Sequence, residues 1–141
     1  MIHFNSRLIG MLKDLAERSY PDECCGFLAG CSPKPGFTEI HQVRPCNNIN
    51  VQRSTDRYEI DPVAFLRFDR ESRANKREIL GFYHSHPNSC AITSDYDRQM
   101  AWPGYCYLIV AVIQGQAQEL RCWVLDGEEG GFQEEEIRIN N

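Results

Sequence analysis

Near the N-terminus, Phe4, Leu8, Met11, Leu12 and Leu15 recur at helical spacing and predict an amphipathic helix. Tyr20-Pro21-Asp22 ends it, because the residue before a proline is pushed out of the helical region. The apolar run CCGFLAG, residues 24–30, reads as a strand, and CSPKPGF carries turn residues. TEIHQVRPC then reads as a second strand, paired with the first in a hairpin. Residues 47–57 are polar and irregular, a loop, followed by the extended piece Tyr58-Glu59-Ile60. Asp61 and Pro62 open a second helix as N-cap and first helical residue. Its apolar positions are Val63, Phe65, Leu66 and Phe68, and it fades near Asn75. EILGFYHSH reads as a strand and TSDYDRQMAW as a helix closed by Pro103-Gly104. YCYLIVAVI is a continuous apolar run, the pattern of a strand buried on both faces. QGQAQ turns the chain into the strand ELRCWVL, DGEEGG turns it again, and FQEEEIRI is a last strand near an edge. The order α-β-β-α-β-α-β-β-β predicts an α/β layered domain with a mixed sheet.

A chain of 141 residues with 42% hydrophobic residues suits one globular domain with a sizeable core. Its formal charge of −5 argues against a general nucleic-acid binder, which would carry a basic face, and suits a partner with a basic patch. The first residues are too polar for a signal peptide, and no apolar run reaches membrane-spanning length, so a cytoplasmic protein is expected. Seven cysteines, an odd number with no C-x-x-C pair, suggest neither a disulfide framework nor a zinc knuckle. They read as small apolar residues in a reducing compartment.

The chemistry concentrates in YHSHPNSCAITSDYD, residues 83–97. His84 and His86 are two apart on a strand, so both imidazoles lie on one face at its C-terminal end, where ligand sites gather in α/β folds. Ser94 and Asp97 share a face at the start of the next helix. Two imidazoles and one carboxylate make a three-ligand set, the number that catalytic zinc takes while keeping one position open. The plainer reading is a helix cap, with Thr93 or Ser94 as cap and Asp95 or Asp97 on the helix dipole. The two readings are compatible. Hydrolysis also needs a base for the attacking water. The H-E-x-x-H arrangement that would supply a glutamate locally is absent. Glu23, just before the CCGFLAG strand, fits that task, and Glu59 and Glu78 are not excluded.

These residues resemble the JAMM (MPN+) family of zinc metallopeptidases and deubiquitinase-like isopeptidases. His84, His86, Ser94 and Asp97 match its H-x-H-x7-S-x-x-D signature without a gap, and PDECCGFLAG is similar to its P-x-E-x-C-G-x-L-x-G segment. RYEIDP and WPGYCYLIVAV resemble further family segments. The resemblance implies a single MPN domain with a cytidine-deaminase-like fold, a mixed sheet flanked by helices. It implies one Zn²⁺ held by His84, His86 and Asp97, with water as fourth ligand. Glu23 would be the general base and then acid, and Ser94 would donate a hydrogen bond to the oxyanion.

The compact length resembles the stand-alone bacterial branch. There the implied substrate is a ubiquitin-like or sulfur-carrier protein, cleaved beyond a C-terminal Gly-Gly. Such a tail suits a narrow groove, or strand addition to a sheet edge beside the zinc.

Three other readings compete with this one: an inactive MPN scaffold, a structural metal site closed by a fourth ligand such as Cys90, and a nucleoside or nucleobase hydrolase. Cys90 otherwise reads as inert. Cys24 beside the proposed base has no assigned role, and His3 and His41 read as ordinary surface or strand residues.

Overall fold

The computed structural model describes residues 1–125 and 131–141. The expected DGEEGG turn therefore lies, but for Gly131, outside the described residues. Among the described residues, eight strands and three helices follow in order: β1 (Ile2–Asn5), α1 (Ser6–Ser19), β2 (Cys25–Lys34), β3 (Phe37–Cys46), α2 (Pro62–Ala74), β4 (Glu78–Pro87), α3 (Asp95–Met100), β5 (Cys106–Ile113), β6 (Gln116–Leu125), β7 (Phe132–Glu135) and β8 (Ile137–Asn140). The strands form one mixed sheet in the order β7-β6-β5-β4-β2-β3-β1-β8. β4 runs parallel to β5 and antiparallel to β2, so the histidine strand is central.

Two expectations about the ends of the chain change. Phe4 does not belong to the first helix. Ile2 and Phe4 alternate with polar neighbours, are buried, and form β1, which pairs in parallel with β3 and β8. Asn5 then caps α1, its side chain accepting from Leu8 N–H at 2.9 Å. FQEEEIRI is not one strand. It breaks at Glu136 into β7, antiparallel to β6, and β8, parallel to β1. One residue separates strands on opposite edges of the sheet, so the sheet curls until those edges meet. The Met1 amino group pairs with Glu135 there, and Ile2 N–H donates to Glu136 O.

Each sheet face carries its own core. Leu8, Leu12, Leu28, Ile40, Leu108 and Val110 join α1 to one face. Phe27, Phe68, Ile79, Phe82 and Tyr107 join α2 to the other. β5 contributes to both, as its unbroken apolar run predicted. Helix α2 starts as expected, Asp61 accepting from Val63 N–H with Pro62 behind it. Of its four apolar positions, Val63 and Leu66 are more than half exposed. No helix among the described residues is long and apolar enough to cross a membrane.

Candidate functional site

Along β4, Phe82, His84 and His86 occupy one face and Tyr83 and Ser85 the other, as the two-residue period requires. Tyr83 joins the α1-side core. Ser85 ties the strand to β2: its hydroxyl accepts from Cys24 N–H at 2.9 Å and its own N–H donates to Cys24 O at 3.1 Å. Cys25 stands opposite His84 in the β2–β4 ladder. Residue 23 is therefore placed beside the end of the histidine strand.

Helix α3 brings the carboxylate. Ser94 Oγ accepts from Asp97 N–H, and Asp97 Oδ2 accepts from Ser94 N–H, both at 3.0 Å, a reciprocal capping box. The same Oδ2 lies 3.0 Å from His86 Nε2 and 3.2 Å from His84 Nε2, and the two Nε2 atoms are 3.2 Å apart. The cap and the cluster are thus one feature. The helix begins two residues later than the TSDYDRQMAW pattern suggested, so that Asp97 falls at its third position.

His84, His86 and Asp97 are all buried. Burial disfavours a charged His84 and pushes its pKa down. Burial pushes His86 the same way, but the Asp97 carboxylate and the Cys90 carbonyl outweigh it and raise the net value. Burial alone would raise Asp97, yet the imidazoles and the Ser94 N–H hold it well below the usual carboxylate range. His86 Nδ1 lies 2.9 Å from Cys90 O. A carbonyl only accepts, so Nδ1 carries the hydrogen and a neutral ring turns its Nε2 lone pair toward the cluster.

Glu23 is buried as well, with Oε1 lacking any hydrogen-bond partner among the described residues. Burial pushes its pKa up to about 8, opposed by the charge of His86 and reinforced by Asp97 and Asp56. The 47–57 loop holds its backbone. Glu23 N–H donates to Ser54 O, and Asn48 Nδ2 donates both to Glu23 O and to Arg57 O. Glu59 is exposed. Glu78 is exposed too and starts β4 six residues before His84, about 20 Å away at strand rise.

Zinc bonds of about 2.0–2.1 Å in a tetrahedron space their donors about 3.3 Å apart. The three observed separations, 3.0 to 3.2 Å, are close to that edge. Two imidazoles, a carboxylate and an orphaned buried carboxylate beside them fit such an ion. Among the described residues Cys90 is not part of this donor group, and its side chain is exposed. The donor set stays at three, which leaves a closed structural site without support.

Sequence reasoning missed Tyr58 and a recess. The buried Tyr58 ring stacks on His84 at 4.2 Å between centroids. It also forms one wall of a cavity of about 370 Å³ with Ile60, Phe65, Phe82, Trp102 and Tyr107. RYEIDP had marked the segment, but nothing local shows that its tyrosine packs on a residue 26 positions later. In the sheet β4 is flanked by β2 and β5, and the outermost strands are β7 and β8.

The arrangement is that of an α/β protein with a buried His₂Asp centre at the end of a central strand. Residues 6–126 match the family described as prokaryotic homologs of the JAB domain, and the chain belongs to that family. It is 39% identical over 90 residues to a desampylase of Haloferax volcanii, covering 63% of this chain and 62% of that one. The chain thus spans under two thirds of that relative's length. It is 30% identical over 125 residues to a CysO-cysteine peptidase of Mycobacterium bovis, covering 85% and 80% of the two chains. A protein of Desulfitobacterium hafniense solved in solution matches 99% of this chain and 93% of its own, with a TM-score of 0.85 and 27% identity. A JAB1/MPN domain protein from Archaeoglobus fulgidus matches 99% and 98%, with a TM-score of 0.59 and 15% identity, a likeness of fold.

Proposed function

We propose that the protein is a zinc peptidase that cleaves beyond the C-terminal Gly-Gly of a ubiquitin-like or sulfur-carrier protein. The observation that carries this reading is the convergence of His84, His86 and Asp97, with the unpartnered carboxylate of Glu23 beside them. The names of the two relatives support a peptidase, and the family resemblance supplies the substrate class. His84 Nε2, His86 Nε2 and Asp97 Oδ2 would hold the metal. A zinc ion bound there would lower the pKa of a water and polarise the scissile carbonyl. Glu23 takes the proton of the attacking water and hands it to the leaving amine, a role that suits a carboxyl poised near neutral pH. Ser94 Oγ already accepts from Asp97 N–H, so its O–H is left to donate to the oxyanion. Tyr58 stacks on His84 and holds the ring in place.

Metal content and cleavage test this together. Wild type purified without chelator should carry zinc at His84, His86 and Asp97, and His84→Ala/His86→Ala should lose that ion and all cleavage of Gly-Gly tails. A wild type that takes up no zinc at this cluster on titration would sink the proposal.

The recess beside His84 would accept an apolar side chain of the substrate segment. It is walled mainly by aromatic rings, and Leu66 on its rim is 57% exposed. Leu66→Glu should raise KM about tenfold, an energy of about 1.4 kcal/mol, with kcat and zinc content unchanged. An unchanged KM would place the substrate elsewhere.

A further inference from the structure

The β2–β3 hairpin carries a second convergence of metal-ligating side chains. Cys31 and Glu39 are direct partners across the two strands. His41 is the residue that the ladder skips between Ile40 and Gln42, and its ring nitrogen comes close to the Glu39 carboxylate. Ile40 between them turns into the α1-side core, which sends Glu39 to the opposite side. The ladder shifts register between Ala29 and Gly30, and this shift aligns Cys31 with Glu39. A side chain at Gly30 would overlap the Glu39 carbonyl, so glycine permits the close approach. The donor atoms of Cys31, Glu39 and His41 all lie within 4.8 Å of one another, with His41 Nε2 3.8 Å from Glu39 Oε1. Cys31 and Glu39 are half-buried and His41 is exposed.

We infer that Cys31, Glu39 and His41 form a second, separate site for a zinc-type divalent cation. Thiolate, imidazole and carboxylate are each zinc ligands, and the thiolate disfavours calcium and magnesium. Tetrahedral zinc with one sulfur ligand needs its donors about 3.3–3.8 Å apart. Rotation of the accessible His41 and Glu39 side chains closes that gap of about 1 Å. Binding releases the Cys31 thiol proton to solvent. The ion would then clip β2 to β3 at the shifted register and leave one coordination position open. Cys31 lies six residues along β2 from Cys25, the partner of His84, so the two sites are about 20 Å apart. The inference does not rest on the peptidase reading, because none of its ligands belongs to the His84 cluster.

Cobalt titration of the metal-free protein tests it, since a thiolate ligand to Co²⁺ gives a near-ultraviolet charge-transfer band. His84, His86 and Asp97 include no thiol, so the band reports the hairpin site whether or not the other cluster binds. The wild type should show the band, and Cys31→Ser should abolish it while keeping wild-type uptake at the His84 cluster. His41→Ala, at an exposed position, should weaken the band's apparent affinity at least about tenfold, since loss of an outer-shell partner alone costs 10–100-fold. A wild type with no thiolate band, or a band that survives Cys31→Ser, would overturn the inference.

Discussion

Glu23→Gln is expected to keep its zinc and lose turnover by about 10²–10⁴-fold, the range that positioned acid–base catalysis supplies. The amide matches the carboxylate in shape, and the contacts that place residue 23 are made by its backbone with Ser54 and Asn48. The substitution therefore removes the proton acceptor and leaves its position. Zinc content and single-turnover cleavage of a Gly-Gly-tailed substrate measure the two halves. Retained hydrolysis in the zinc-loaded variant would move the base role to another group.

The same substitution should stabilise the metal-free protein at alkaline pH. The Glu23 carboxyl is raised from 4.5 to about 8 by burial. Between those values the folded state binds more protons than the unfolded state, so this group's contribution to stability falls as pH rises. It is complete below about 4.5 and lost by about 8. Glutamine does not titrate. Metal-free Glu23→Gln should thus exceed wild type at pH 8 by on the order of a few kcal/mol, and the difference should shrink toward pH 5. A bound cation would favour the carboxylate and mask this effect, so melting is compared on chelated protein.

The second large effect is at Asp97, where two roles share one oxygen. Asp97→Ala should lose zinc, turnover and the capping box. Ser94 Oγ still accepts from the N–H of residue 97, so only Ser94 N–H loses its partner, at a cost of about 1 kcal/mol of metal-free stability. Asp97→Asn keeps an oxygen that can accept from Ser94 N–H but loses the charge that zinc requires. It should melt near wild type without metal, yet hold little zinc and show no turnover. If both variants kept zinc and differed only in stability, Asp97 would be a helix cap beside two histidines and nothing more.

The histidine pair and the Ser94–Asp97 start of α3 were legible because both rest on local periods. Alternation on a strand places His84 and His86 on one face whatever surrounds them. A cap followed three residues later by an acid is likewise a local signal. The hairpin of β2 and β3 and the buried β5 were legible for the same reason. Strand β1 was not: four residues too short to show a period pair with β3 and with β8, which lies more than 130 residues away in sequence. The break at Glu136 was hidden inside a run of three glutamates, where no apolar alternation marks the change of partner. The sequence shows that Leu66 is apolar, not that it lies on the rim of a recess beside the site.

By itself, then, the sequence determined the residue types of the centre, their local spacing, and the elements that carry them. Strand and helix periods depend only on neighbouring backbone geometry. The tertiary structure alone decided that α3 swings Asp97 onto the histidine pair, and that Ser85 pins β2 so that Glu23 is buried beside it. It also decided that Tyr58 covers His84 and that a register shift aligns Cys31, Glu39 and His41. These are contacts between segments distant along the chain, set by which strands pair and in what register, and no local pattern encodes that choice.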